Sequence, residues 1–287
     1  WERIQLPHDW SIKLSFDKKM GGSAAHLPGG IGWYRKQFKL PRSYNGKVIS
    51  ILFDAICHQS DVYINGHHLG FRPYGFCSIE YDLTPYLDYD GENVIAVRVN
   101  RSGVKDVARW YTGSGIYRHA WLQVTNPVHV ATYGTYVTTP SVSEDKAEIR
   151  IMTTLENELK KVQTVSISHL ILDNQGKIVA KSGTEKTLFE AGQSIKITQN
   201  LTLNYPRLWT LEKPELYTLE TTVKANGKVT DLYKTPFGIR TIAFDSEKGF
   251  LLNGKQVKLK GMCLHQDAGS LGTAVLDRSY ERRLEII

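Results

Sequence analysis

The sequence predicts an all-β chain, in which two consecutive β-sandwiches lead to one strand–helix unit near the carboxyl end. Short segments alternate apolar and polar side chains, as residues 93–99 do, which is the period of a strand with one buried face. Turn pairs such as Asn65-Gly66 punctuate these segments. Only residues 277–287 have the pattern of a helix start. These three observations define the fold class.

The first predicted domain covers residues 1–126. Its strands are predicted at 33–40, 47–53, 61–65, 78–83, 93–99 and 116–124. Many short strands at this spacing, separated by Asn-Gly and Asp-Gly turns, are typical of a sandwich or jelly roll.

The second predicted domain covers residues 127–240. It begins after Asn126-Pro127, because proline cannot continue a strand ladder. Six to seven strands in this length are typical of an immunoglobulin-like β-sandwich. The segment lacks the paired cysteines of antibody domains, so only the architecture is implied.

The third predicted segment, residues 241–287, starts as a hairpin around Asn253-Gly254. Its second arm is predicted to continue as a strand through Leu264, ending at the polar residues His265, Gln266 and Asp267. Strand, polar loop and helix form the first unit of a truncated (β/α)8 barrel, where chemistry collects at the carboxyl ends of strands. Because an unpaired strand edge recruits partners, we expect residues 256–287 to pack on the second sandwich or on another chain.

Composition limits the function classes. The chain of 287 residues has a formal net charge of +7 from dispersed Lys and Arg, without the clustered basic face of a nucleic-acid-binding protein. No run of about 18 apolar residues predicts a membrane span. Cys57, Cys77 and Cys263 form neither a disulfide framework nor a metal-binding spacing. We expect three buried free thiols, and a bridge between Cys57 and Cys77 stays open.

Three long loops attract attention, at residues 20–32, 71–77 and 101–115, because loops on a rigid scaffold tend to carry function. The third loop contains Arg109 and Trp110. An aromatic ring offers a flat apolar face for the C–H side of a sugar, and arginine donates hydrogen bonds to its hydroxyls. Arg109 and Trp110 are therefore candidate sugar-binding residues, with a role for Trp110 in the core as the alternative.

Several stretches together resemble glycoside hydrolase family 2, the family of β-galactosidases, β-glucuronidases and β-mannosidases. They are LPHDW at 6–10, GWYRKQF at 32–38, DVYINGHHLG at 61–70, NVIAVRV at 93–99, RWYTGSGIYRHAWL at 109–122, FGIRTIAFD at 237–245 and FLLNGKQVKLKGMCLHQD at 250–267. Their order resembles the family's plan of a jelly-roll sugar-binding domain, an immunoglobulin-like domain and a catalytic barrel. The detail of the fifth and seventh stretches is most similar to the β-galactosidase branch of gut bacteria.

The resemblance implies a retaining hydrolase, which uses two carboxyl groups about 5–5.5 Å apart. In the family both are glutamates on later barrel strands, and a barrel takes about 250 residues. They are expected beyond residue 287, so this chain carries no catalytic residue and is expected to be inactive alone. No cofactor is expected within it, although a divalent cation in the missing barrel is compatible with the resemblance.

The resemblance also assigns candidate residues for substrate binding. His265 matches a family histidine that lines the sugar subsite, with a structural histidine at a strand end as the alternative. Asp267 lies where the loop turns across the barrel mouth and is a candidate for contact with a sugar hydroxyl, with structural capping as the alternative. Arg109 stands where well-studied β-galactosidases have an aspartate that reaches the sugar and a sodium ion. The sugar contacts of the first domain are therefore expected to be rebuilt, without that sodium site and without any other metal in this chain.

The predicted function is hydrolysis of terminal β-galactosides, with a β-galactoside oligosaccharide as the substrate and neither nucleic acid nor membrane as a partner. A homo-oligomer is left open. The compartment is unknown, with the periplasm favoured over the cytoplasm. The alternatives are a β-glucuronidase or β-mannosidase of the same family, or a carbohydrate-binding module without catalysis.

Overall fold

The computed structural model describes residues 1–102 and 109–287. Contacts divide the chain into two compact units: the first unit contains Trp1–Val124 with Cys263–Ile287, and the second contains Thr125–Met262. The all-β prediction is confirmed, since strands dominate and the described residues contain one α-helix, α1 (Asp277–Ile286). The three-domain division of the sequence stays a prediction.

Seven strands build the described part of the first unit. They are β1 (Ile31–Phe38), β2 (Val48–Phe53), β3 (Gln59–Ile64), β4 (His67–Arg72), β5 (Ile79–Asp82), β6 (Asn93–Asn100) and β7 (Ala120–Thr125). They form two sheets, with the orders β1-β6-β3-β4 and β5-β2-β7. The sequence analysis missed β4, because two histidines and Gly70 interrupt its apolar alternation.

The core of the first unit lies between these sheets. Ile49 and Phe53 of one sheet and Val62 and Val97 of the other belong to one buried cluster. Fully burying such a side chain stabilises the fold by about 1.5–3 kcal/mol. The face of each strand that carries the apolar side chains therefore turns inward. The turn between β3 and β4 is of type I′, with positive φ at Asn65-Gly66.

Eight strands of the second unit form a further pair of sheets. They are β8 (Val128–Val142), β9 (Lys146–Asn157), β10 (Gln163–Leu172), β11 (Ile178–Lys181), β12 (Glu185–Phe189), β13 (Ser194–Asn204), β14 (Tyr217–Ala225) and β15 (Lys228–Phe237). One sheet has the order β13-β9-β8, and the other has the order β11-β10-β14-β15 with β12 also paired to β10. The short strands β11 and β12 raise the number above the six to seven that the sequence indicated.

A small three-stranded sheet ends the second unit: β16 (Ile242–Asp245), β17 (Gly249–Leu252) and β18 (Lys255–Gln256). The predicted hairpin is present, with positive φ at both residues of Asn253-Gly254. Its second arm stops at Gln256, so the strand predicted to continue through Leu264 is not formed. A strand needs a neighbour for its backbone groups. The Val257 N–H still donates to the Phe250 carbonyl of β17 (2.9 Å), but none of the described strands pairs with residues 258–264.

The carboxyl-terminal residues lie elsewhere than the sequence indicated. Cys263–Ile287 belongs to the first unit, which corrects the expectation that this segment packs on the second sandwich. The three cysteines are free, but only Cys57 is buried, while Cys77 is half-buried and Cys263 is exposed. Burial raises the pKa of the Cys57 thiol to about 12. No helix in the described part of the chain is long and apolar enough to cross a membrane.

His169 is an ionisable group inside the second unit. It lies on β10, is 1% exposed, and its Nδ1 is 3.0 Å from Oγ1 of Thr221 on β14. Burial lowers the pKa of His169 to about 4, because the protonated ring would lose its hydration.

We expect His169 to make the second unit less stable in acid. Between its usual pKa and about 4 the unfolded chain binds a proton that the folded chain does not, so stability falls as pH drops through this window. The loss between pH 6.5 and 4.5 should be about 2–3 kcal/mol. Urea unfolding, with amide exchange in β10 to identify the unit, measures it in the wild type, in His169→Gln and in the exposed-site control His26→Gln. Equal pH dependence in wild type and His169→Gln would contradict the expectation.

Candidate active-site segment

The carboxylate of Asp9 joins three distant segments of the first unit. The side chain is 1% exposed. Its Oδ1 accepts hydrogen bonds from the backbone N–H groups of Ser11 (3.1 Å) and Ser114 (3.0 Å). Its Oδ2 accepts from the Tyr111 hydroxyl (2.8 Å) and from both the N–H and the hydroxyl of Thr273 (3.1 Å each). A buried charge is tolerated only when it is fully hydrogen-bonded, and five donors achieve that here.

Two glycines make this close approach feasible. Gly113 has φ +70 and Gly272 has φ +58, a region that side chains disfavour. A Cβ at Gly113 would collide with Thr273, and one at Gly272 would collide with Asp9. The glycines of the YTGSG and LGT runs are therefore required for the loops to meet the carboxylate.

The same amino-terminal segment holds the glycine-rich loop at residues 20–32. The indole Nε1 of Trp10 donates to the Gly29 carbonyl over 3.0 Å. The Ser11 hydroxyl lies 2.8 Å from the Pro28 carbonyl and 2.7 Å from the Ser114 hydroxyl. This loop and the one at 109–115 are therefore positioned from one short stretch of chain.

Trp110 and His265 are brought together beside this centre. Their rings stack with centroids 4.9 Å apart and planes inclined by 30°. The Trp110 Nε1 donates to Oε1 of Gln266 over 3.0 Å. Trp110 is half-buried, whereas His265 is exposed. The pair presents an aromatic surface with an imidazole at the protein surface.

Helix α1 holds the backbone of this polar loop. Nη2 of Arg283 donates to the Asp267 carbonyl (2.6 Å), and Nη1 donates to the His265 carbonyl (3.3 Å). The guanidinium also lies over the Tyr280 ring, 5.6 Å from its centroid, and the Tyr280 hydroxyl is 3.4 Å from the Gln266 carbonyl. Arginine suits this position because its planar fork serves two acceptors at once.

The other two candidate residues, Arg109 and Asp267, lie within two positions of this pair in the sequence. Arg109 is exposed, and Asp267 is half-buried and engaged through its backbone carbonyl. Of the loop at 101–115, residues 103–108 lie outside the described residues. In the loop at 71–77, Tyr74 and Phe76 meet edge to face at 5.5 Å.

Sequence reasoning assigned no role to Asp9, Thr273 or Arg283, and it grouped Tyr111 only with the aromatic residues of its loop. Burial and the charge of Asp9 raise the pKa of the Tyr111 phenol, so it remains a protonated donor to that carboxylate. No group of three or more His, Cys, Asp or Glu side chains in residues 1–102 and 109–287 has the arrangement of a metal site. Trp110, His265 and the loop at 265–267 offer aromatic stacking and hydrogen bonding, the two interactions that a carbohydrate-binding surface uses.

Comparison with known proteins agrees with that class. The model of the "Glycosyl hydrolases family 2, sugar binding domain" matches residues 19–127, and the "Glycosyl hydrolases family 2" model matches residues 128–240. Together the two matches cover most of the chain. The chain belongs to glycosyl hydrolase family 2.

The similar proteins include both β-galactosidases and β-glucuronidases by name. The chain is 46% identical over its whole length to the β-galactosidase BoGH2A of Bacteroides ovatus, of which it covers 34%. It superimposes over its full length on a family 2 member from Bacteroides cellulosilyticus with a TM-score of 0.91 and 40% identity, covering 39% of that chain. A β-glucuronidase from Bacteroides uniformis gives 0.88 at 29% identity, with 34% of that chain covered. The chain thus spans about a third of the length of these relatives.

We expect Asp9→Asn to destabilise the first unit by about 3 kcal/mol or more. The amide would direct N–H groups at other donors, and each buried group left unsatisfied costs about 1–3 kcal/mol. Urea unfolding measures the loss, and amide exchange should speed up at residues 272–275. Asp17→Asn is the matched control, because that carboxylate caps an exposed turn at the Lys19 N–H. Equal stabilities of the two variants would contradict the role of Asp9.

We expect Arg283→Ala to loosen the loop at residues 265–267, since two of its carbonyls lose their charged donor. Faster amide exchange across residues 265–268 is the readout. Arg282→Ala, an exposed neighbour on the same helix, should leave exchange there unchanged. If both variants exchange alike, the helix does not hold the loop through Arg283.

Proposed function

We propose that this chain is the sugar-recognising part of a retaining glycoside hydrolase that removes terminal β-galactosyl residues from oligosaccharides. The observation that carries the proposal is the 46% identity, over the whole chain, to a protein named as a β-galactosidase. The stacked pair of Trp110 and His265 supports it, because a ring face beside an imidazole suits a sugar with its C–H faces and hydroxyls.

In this proposal the chemistry is divided between two parts of the complete protein. A barrel supplies the two carboxyl groups of the retaining mechanism, one as acid/base and one as nucleophile. The residues of this chain position the substrate. Trp110 orients His265, Arg283 fixes the backbone of the loop at 265–267, and Asp9 anchors the loop at 111–114 and Thr273. Precise placement matters because holding a substrate in its reactive geometry lowers the activation barrier by several kcal/mol. The periplasmic location remains part of the proposal.

The test is hydrolysis of a chromogenic β-galactoside. The chain extended through its barrel should turn over the substrate, and residues 1–287 alone should not. In the extended enzyme, His265→Ala should lower kcat/KM by about a hundredfold or more, as loss of a transition-state contact does. Turnover by residues 1–287 alone, or a near-normal rate in His265→Ala with an intact fold, would overturn the assignment.

A second candidate is a β-glucuronidase. The B. uniformis structure carries that name, and Arg109 is an exposed cation next to Trp110, which suits a uronate carboxylate. The ratio of kcat/KM for β-galactoside and β-glucuronide substrates separates the candidates. Under the leading proposal the galactoside is preferred and Arg109→Gln changes the ratio little; under the second, the variant selectively loses the glucuronide.

A further inference from the structure

The outward face of the sheet β1-β6-β3-β4 carries side chains that the site above does not use. The register places Trp33, Arg98, Asp61 and Phe71 side by side across the four strands. They point away from the core, because the alternating residues of the same strands belong to the buried cluster. Trp33 and Phe71 are 50% and 52% exposed. Large apolar groups gathered on one face, rather than scattered, indicate a binding surface.

The next row of the same face continues the pattern. Arg35, Ala96, Tyr63 and His68 follow each other across the strands. The Trp33 and Tyr63 rings lie 6.0 Å apart, inclined by 30°, and Tyr63 contacts the His68 ring at 4.9 Å. Ala96 is the small residue of this row. The two rings therefore form an aromatic surface at one side of the sheet.

Polar groups lie between the aromatic residues. Asp61 accepts from Nη1 of Arg98 and lies against Nε2 of His68, both at 3.1 Å. Arg98 keeps further N–H groups for another acceptor, because its guanidinium carries five. Arg98 and Asp61 stand between Trp33 and Phe71 in one row, so a donor and an acceptor lie between two apolar side chains.

We propose that this sheet face, defined by Trp33, Tyr63, Arg98, Asp61, His68 and Phe71, is a binding platform for an extended oligosaccharide. A sugar chain offers ring faces to stack on Trp33 and Tyr63 and hydroxyls that both donate and accept, which match Arg98 and Asp61 together. A protein partner fits less well, because its interface core would have to desolvate the ion pair, and interface cores are depleted of charged residues. The face also lies within residues 19–127, matched by a model described as a sugar binding domain.

The platform is separate in its residues from the Trp110–His265 pair. Three spacings between the four strands give it a width of about 14 Å, more than one sugar ring occupies. The ligand class is therefore an extended chain rather than a monosaccharide. Binding here adds substrate capture to the proposed hydrolysis and can be measured on residues 1–287 without any turnover.

The test is isothermal titration of residues 1–287 with two probes, β-1,4-galactotetraose and cellotetraose. We expect binding of at least one probe with Kd of about 1 mM, and weakening by about tenfold or more in Trp33→Ala. Asp61→Asn should also weaken it. The matched control is Trp121→Ala, since Trp121 is likewise 50% exposed but lies on β7 in the other sheet.

Circular dichroism establishes that each variant is folded, and Trp33→Tyr, which keeps a ring, should retain most of the affinity. The proposal is overturned if neither probe binds with a Kd in the millimolar range or below, or if Trp33→Ala and Trp121→Ala lose the same affinity. None of these results bears on the hydrolysis assay, so the two proposals fail separately.

Discussion

The buried carboxylate of Asp9 is the constraint on which the first unit's candidate site depends. A charge that is 1% exposed has no water to stabilise it, so every lone pair must find a protein donor. The donors come from the amino-terminal segment, from the loop at 111–114 and from Thr273. The electrostatic requirement of one residue therefore fixes where three segments meet. Trp110 directly precedes one of these segments in sequence, and His265 lies eight residues before Thr273.

Much of the fold followed from period and turn chemistry. The alternation at residues 93–99 predicts β6 because burying one face stabilises the strand only in that register, and Asn253-Gly254 predicts a hairpin because both residues adopt positive φ. The error at residues 257–264 has a physical reason as well. Apolar composition marks a segment that can be a strand, but the hydrogen bonds must come from neighbours that a local pattern does not reveal.

The sequence predicted single residues of the candidate site, but it did not predict how they are arranged in space. Trp110 was a candidate from the chemistry of its side chain, and His265 from the resemblance of its motif. Their contact joins positions 155 residues apart, and no spacing rule describes such a pair. Arg283 left no sequence signal, since it acts on backbone carbonyls, which every residue possesses. Asp9 stood within the LPHDW stretch of the family resemblance, but that stretch did not reveal which donors its carboxylate would collect.

The two aromatic surfaces of the first unit are positioned by different physics. Trp110 and His265 depend on directed hydrogen bonds converging on Asp9 and Arg283, so loss of one donor can displace them without unfolding a sheet. Trp33 and Tyr63 depend on strand register, and a slip of one residue would turn both into the core and expose Tyr34 and Val62. The apolar core therefore enforces the outward direction of the platform at every rung. A surface set in this way tolerates substitution of its own side chains, because its geometry is determined by residues on the opposite face.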